Sequence, residues 1–407
     1  MAIRIATLAG ASAILLWAES PRGEWGPLAP LSGEGAIGSP GGTHPVAFDG
    51  DTAHVVWAQG GHVYYRRSRD GGATWESAVK LTSGGAAQYP CSLEISGSHL
   101  HLVWPDSRNG TWEVYYKRST DGGDTWAEDV RLTPGVDLFR MGTAISGATL
   151  HVAWASRSLV VPTPAGTHTW GEIYYKRSTD DGATWGPDVR LTVPDSSAMR
   201  PSIAAVGENV HLIWFDQRDK TGLLDWRIYT KRSVDGGATW EPDVELRGTP
   251  ARFPHHPQIV ASQGGRVCAI WEEGQVFDGA KWSGDPALYA CVSDDHGRTW
   301  SEPRRITFVN APNGWATHLK SHACGSRVDL AWTDAPEGTH GHRAAYYMAS
   351  LDGGLTWEAP ERLTSPTNGD CSAESVGAGE SAVVVVIARS GALHYRRRAQ
   401  SPSAQLR

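Results

Sequence analysis

Several signatures are missing from this chain, and each absence removes a class of chemistry. There is no C-x-x-C pair, no H-E-x-x-H, no phosphate-binding G-x-x-x-x-G-K-[ST] loop and no dinucleotide glycine fingerprint. Zinc hydrolysis, thiol redox exchange, phosphoryl transfer and nucleotide binding therefore lack a motif, and the sequence predicts no metal and no cofactor. Positive charge is not in excess: the formal net charge is −7. That argues against general affinity for nucleic acid or for an anionic membrane. Beyond the N-terminus no apolar run approaches the roughly 20 residues that span a bilayer. Cysteines are few and scattered, at positions 91, 268, 291, 324 and 371. The odd count leaves two readings open, one or two disulfides or five buried thiols. No segment carries a helical period.

The N-terminus supports two readings. Arg4 precedes a mildly apolar stretch from Ile5 to Ala18. As a short signal peptide over residues 1–20 it implies a secreted or periplasmic protein, although Leu16 is a poor residue three places before a cut after Ala18. As an extra strand pair it fits Ala13-Ile14-Leu15-Leu16-Trp17, which resembles strands found later. Residues 21–400 are expected to form one domain, and 401–407 a tail.

What the chain has in abundance is glycine (47) and tryptophan (19), a composition suited to an all-β protein with many tight turns. One pattern, S-x-D-x-G-x-T-W, occurs six times, with its aspartates at Asp70, Asp121, Asp180, Asp235, Asp295 and Asp352. Spacings of 51 to 60 residues, filled with short alternating segments, mark the blades of a β-propeller. Each unit reads as four strands, A to D. Strand B ends in tryptophan, as in His101-Leu102-Val103-Trp104 and His211-Leu212-Ile213-Trp214. Strand C is tyrosine-rich, as in Val114-Tyr115-Tyr116-Lys117-Arg118-Ser119. The eight-residue turn joins C to D, with its aspartate expected to accept backbone N–H bonds two residues on and its glycines free to take positive φ.

The ends supply a further unit. Ser381 to Ile387 reads as strand B and Leu393 to Arg397 as strand C, after which the chain lacks a strand D. The segment from Glu24 to Ser32 reads as an isolated strand D. Pairing the two closes the ring and removes two sheet edges. This predicts seven four-stranded antiparallel blades; the alternative is six blades with spare terminal strands.

The six turns resemble the Asp boxes, or BNR repeats, of the sialidase superfamily, over roughly residues 40 to 365. In that family the boxes lie on the face away from the active site, so the resemblance implies a structural role for them. It also implies an arginine triad for a substrate carboxylate, a Tyr nucleophile paired with a Glu, and an Asp acid/base. The nearest match to the family's Arg-Ile-Pro motif is Arg4-Ile5-Ala6, which lacks the proline. No segment matches the Tyr or Glu motifs, and a seven-blade count departs from the six-bladed enzymes.

Candidate residues follow from the connectivity. The D–A and B–C loops share the face opposite the boxes, where propellers bind ligands. The D–A loops deliver His44, Tyr89, Arg140, Arg200, His256 and His318, with Asp370 and Glu374 in the last unit. Those preceding proline, Arg200 and His256 among them, are biased to an extended backbone. Arg140 and Arg200 in adjacent repeats suit a carboxylate, sulfate or phosphate, or else pair with nearby acids. The B–C loops share W-x-D-x-R, placing Asp106 with Arg108 and Asp216 with Arg218; Arg157 and Glu273 stand near equivalent places. Asp106 and Asp216 are acid/base candidates and the arginines anion clamps, or the motif is a repeated turn brace. Tyr89 and Glu374 complete the catalytic candidates. Trp112, Trp170, Trp226 and Trp282, joined by Trp315, are candidates to stack on sugar faces, or else fill space between blades. The functional expectation is a sialidase-like propeller that acts on or recognises carbohydrate, with exo-sialidase-type hydrolysis at the D–A/B–C face. The alternative is a non-catalytic propeller that binds glycans or a protein partner.

Overall fold

A computed structural model describes the backbone of residues 23–33, 45–84, 91–163, 166–192, 198–218, 226–246, 253–262, 264–277, 282–307, 317–334, 343–365 and 371–400. The signal-or-strand segment at residues 1–20, with Arg4, and the tail at 401–407 lie outside these residues. So do His44, Tyr89, Trp315 and Asp370. Among the described residues every regular element is a strand, and no helix is long and apolar enough to cross a membrane.

The strands form seven four-stranded antiparallel sheets. Six are continuous in sequence: blade 1 over residues 46–80, blade 2 over 92–131, blade 3 over 138–190, blade 4 over 199–246, blade 5 over 253–305 and blade 6 over 317–362. Blade 7 takes strands A to C from residues 371–399 and its strand D from Ala29–Pro30, which pairs with Tyr395 and His394. Strand A of each blade packs against strand A of the next, and blade 7 returns to blade 1. The seven A strands therefore surround a central channel, and the ring is closed by the N-terminal strand as the sequence predicted.

Burial explains the residue pattern of each strand. Strand B lies between its own neighbours and the faces of two blades, so Val210 to Asp216 is buried throughout. Strand C alternates, with Val63 and Tyr65 buried while Tyr64 and Arg66 are partly exposed. Strand D is a two- or three-residue outer edge, too short to template pairing with another chain. The apolar core lies between blades: one cluster joins Val56, Tyr65 and Leu81 of blade 1 to Leu93, Leu102 and Trp104 of blade 2. All five cysteines are free, four of them buried and Cys324 exposed.

Each Asp box is a closed hydrogen-bonded turn. In the first, Ser68 Oγ donates to Asp70 Oδ1 at 2.7 Å, the Thr74 amide donates to Oδ1 at 2.8 Å and Thr74 Oγ1 to Oδ2 at 2.6 Å. The acceptor bond thus spans four residues and not the expected two, because two glycines at positive φ carry the chain around before threonine arrives. The box rests on the A–B turn of its own blade, as in Gly122 N to Ser98 O at 2.8 Å. The boxes therefore share a face with the A–B turns and leave the D–A and B–C loops on the other.

The boxes also lock neighbouring blades. Strand-C Tyr65, Tyr116 and Tyr175 meet the box tryptophans Trp126, Trp185 and Trp240 of the following blade edge-to-face at 5.1–5.3 Å. Trp25 of the closing strand occupies the same place against Tyr347, at 5.0 Å. A strand-B histidine orients Tyr65, Tyr116 and Tyr175, as in His101 Nδ1 to the Tyr116 hydroxyl at 2.9 Å, and Asp329 takes that place behind Tyr347. Strand-C arginines donate into the next box, Arg67 to Gly122 O at 2.6 Å and Arg118 to Asp181 O at 2.9 Å.

Gly147 and Gly182 both have positive φ, but a Cβ on Gly147 meets open space while one on Gly182 overlaps the Tyr116 hydroxyl. Gly147→Ala is expected to cost about 1 kcal/mol from backbone conformation alone. Gly182→Ala should cost at least ~2 kcal/mol more, since the junction must move; equal denaturation midpoints for the two would contradict this packing. A second expectation concerns acid. The Asp180 carboxylate is held near 2 by hydrogen bonds from Thr184 and then Ser178, below its ordinary 3.8. Its contribution is complete above pH 3.8 and disappears as pH falls through 2. Asp180→Asn should flatten the dependence of the unfolding midpoint across that window.

Candidate functional site

The channel mouth opposite the boxes is built from the first residues of the A strands. In blades 3 to 7 this end of strand A is bulged, with register shifts after Leu138, Met199, His255, Thr317 and Ala373. A bulge bends the strand and re-aims its side chains. Three residues here occupy the left-handed region: Arg200 (φ 53°), His256 (φ 44°) and His318 (φ 60°). They stand in one structural place, two residues before Ser202, Gln258 and Lys320, which pair with strand B in equivalent register. For Arg200 and His256 this corrects the extended backbone predicted from the following proline. Such strain costs roughly 1–3 kcal/mol per residue and concentrates at functional sites.

These turns gather an ionisable cluster. His256 Nδ1 lies 3.0 Å from Glu272 Oε2, which comes from strand B of the same blade. The His255 and His256 rings are 4.6 Å apart, and His318 lies 5.8 Å from His256. Burial, then the surrounding cations Arg200 and Arg140, holds His255 and His256 well below the ordinary imidazole range. Burial, with His256 and Lys320, pushes His318 down to about 3. All three rings are neutral at neutral pH.

Two buried acids face a buried amine. Glu374 is 2% exposed, with Ser372 Oγ donating to its Oε1. Burial raises its proton affinity well above the carboxylate range, against the pull of Ser372 and Lys320. Lys320 is lowered to about 8 by burial, opposed by Glu374 and reinforced by Arg140 and Arg200. Glu272 is likewise raised by burial, against Arg200, the Leu319 amide and Lys320. The site therefore combines fixed positive charge with carboxyl groups that favour retaining a proton.

Of the residues expected from sequence, Arg140, Arg200, His256, His318 and Glu374 meet here. His255, Glu272 and Lys320 belong with them and were not singled out. A signal for two of them existed in the repeats. Glu272 follows the strand-B tryptophan where other blades carry Pro105, Ala155, Phe215 or Thr333, and Lys320 takes the register position of Ser92, Gly142, Ser202 and Gln258.

The W-x-D-x-R residues lie farther out along strand B and are tightly partnered. Asp216 is fully buried; it accepts from Trp214 Nε1 at 2.9 Å and Arg218 Nε at 2.9 Å, and Arg218 Nη1 reaches Asp243 at 2.5 Å. Asp106 repeats this with Trp104 at 3.1 Å and Arg108 at 2.6 Å, Arg108 also reaching Asp129 at 2.7 Å. Glu273 serves Trp271 in the same way at 2.9 Å. Trp226 packs edge-to-face on Phe215 at 5.0 Å, and Trp112 against the core between blades 2 and 3. The side chains of Arg157, Trp170 and Trp282 lie outside the described residues.

Residues 58–270 match the BNR repeat-like domain family. Among curated proteins, a xyloglucanase of Hypocrea jecorina (strain QM6a) is 26% identical over 337 residues, covering 76% of this chain and 37% of that protein. A sialidase of Clostridium perfringens is 22% identical over 296 residues, covering 67% of this chain and 68% of the sialidase. The chain thus spans about a third of the length of the xyloglucanases it matches. Among solved structures, a polysaccharide lyase of family PL25, an ulvan lyase, superposes with a TM-score of 0.61 at 12% identity, covering 91% of this chain and 95% of the lyase. Polysaccharide lyase Uly1 gives 0.59 at 10% identity, covering 89% and 90%. At such identity these likenesses concern the fold.

Asp216→Ala would strand the Arg218 guanidinium and the Trp214 indole N–H. It is expected to lower stability by roughly 3 kcal/mol, read as a shift of the denaturant midpoint. Full stability with lost function would instead mark Asp216 as a reacting group.

Proposed function

Because this chain belongs to the BNR repeat-like domain family, we propose that it is a carbohydrate-directed propeller that takes an anionic saccharide at the D–A mouth of its channel. The observation that carries this is the gathering of Arg140, Arg200 and Lys320 around neutral histidines on strained, bulged strand ends. Guanidinium groups suit bidentate contact with a carboxylate or sulfate, and partial burial strengthens that contact relative to the surface.

The same cluster supports glycoside hydrolysis. Glu374, whose proton affinity is raised by burial, has the character of a general acid that protonates a leaving oxygen. Proton acceptance, from water in hydrolysis or from a carbon beside a sugar carboxylate in eliminative cleavage, falls to an imidazole such as His318, whose lowered basicity must rise as the anionic saccharide binds beside it. Binding without turnover is the competing reading.

Affinity electrophoresis through polygalacturonate, chondroitin sulfate or neutral xyloglucan tests the binding step. Retention is expected only on the anionic gels, weakening with salt and falling at least about tenfold in Arg200→Ala. Retention on none, or equal retention of Arg200→Ala, would sink the proposal. Fluorogenic sialosides and an ultraviolet assay for unsaturated sugar ends distinguish hydrolysis from elimination. Glu374→Gln should abolish hydrolysis while keeping retention; silence of the folded wild type in both assays leaves a binding protein.

A further inference from the structure

We propose that His255, His256 and Glu272 form a binding site for a divalent transition-metal ion. One donor atom from each residue lies within 4.8 Å of the others. Ligand atoms around a tetrahedral ion with bonds of about 2.0–2.1 Å sit about 3.3 Å apart. The His256 Nδ1 to Glu272 Oε2 separation, 3.0 Å, already matches that, so rotation of the His255 ring and the carboxylate would complete the set. Two imidazoles and one carboxylate suit zinc, cobalt, iron or manganese, with further positions left for water or an anion.

The backbone is shaped for this convergence. Consecutive residues of a regular strand point to opposite faces, so adjacent histidines should diverge. Here the register shift between His255 and Gln258 and the positive φ of His256 break the alternation and bring the two rings together at an angle of 81°. The blade does not require Glu272. Its neighbour Glu273 already holds the strand-B tryptophan, and other blades place uncharged residues at the equivalent position. The Glu272 side chain is only 6% exposed, and its Oε1 has no hydrogen-bond partner. A buried carboxyl oxygen left unsatisfied is costly, and a dication would satisfy it.

Arg140, Arg200 and Lys320 nearby oppose a bare dication. They favour an ion that carries an anionic ligand, so metal affinity should rise when an anion binds alongside it. Metal binding itself needs no saccharide and is tested without one.

The full chain, dialysed against chelator, is titrated with Zn²⁺ by calorimetry and with Co²⁺ by visible absorption, with and without acetate. One ion per chain is expected, with a cobalt d–d spectrum and tighter binding when acetate is present. Glu272→Gln and His255→Gln should each weaken Zn²⁺ binding about 10- to 100-fold, with circular dichroism confirming the fold, while Asp121→Asn on the opposite face leaves it unchanged. If Glu272→Gln fails to fold, His255→Gln carries the test. Absence of stoichiometric binding by the folded wild type, or binding unchanged in a folded variant, would overturn the metal site. Retention on anionic gels is measured in chelator, so the saccharide reading stands or falls separately.

Discussion

The junction between neighbouring blades is the contact on which this molecule depends. A single four-stranded sheet with one strand of two residues cannot bury its own faces. It becomes stable only against its neighbours, and in blades 1, 2 and 3 the contact is a strand-C tyrosine set on the Asp box of the next blade, while blades 4 and 5 place Thr230 and Ala290 there. The third residue of the lock must be glycine, because Tyr65, Tyr116 and Tyr175 each occupy the space a Cβ would need on Gly123, Gly182 and Gly237. The buried histidine behind each tyrosine and the arginine beside it complete the contact with hydrogen bonds. Lys117 and Lys176 reach back to Leu81 O and Leu132 O of the preceding blades, at 2.8 and 2.7 Å. Blades 2 and 3 are thus tied in both directions.

Closure follows from the same contact. Blade 7 has no Asp box of its own, and its outer strand comes from the other end of the chain. Trp25 supplies the indole that a box would have supplied, set against Tyr347 and Arg398. Arg66 of blade 1 then bonds Leu31 O at 2.6 Å, which carries the lock across the seam. The ring needs no covalent clasp, in keeping with five free cysteines.

A frame held from its outer strands leaves the inner ends of the A strands free to depart from regular geometry. Bulges and left-handed residues appear there and gather arginines, histidines, a lysine and two acids around the channel. The regular W-x-D-x-R units show the contrast. In blades 2 and 4 their aspartates and arginines are bonded within their own blade, Arg108 to Asp106 and Asp129 and Arg218 to Asp216 and Asp243. The residues gathered at the channel mouth break the repeat.

The sequence by itself determined the fold: the box spacing, the strand order, the seventh blade and the closing strand were all legible, because each depends on local turn chemistry and on period-two burial. It also marked Arg140, Arg200, His256, His318 and Glu374, since connectivity alone assigns their loops to one face. Only the tertiary structure decided what these residues do together. His255 beside His256 reads as a diverging pair until a bulge turns them inward. Glu272 and Lys320 lie inside strands, where a charged residue is ordinarily read as facing solvent. Their meeting depends on how far five blades rotate their strand ends toward one axis, and no spacing along the chain encodes that distance.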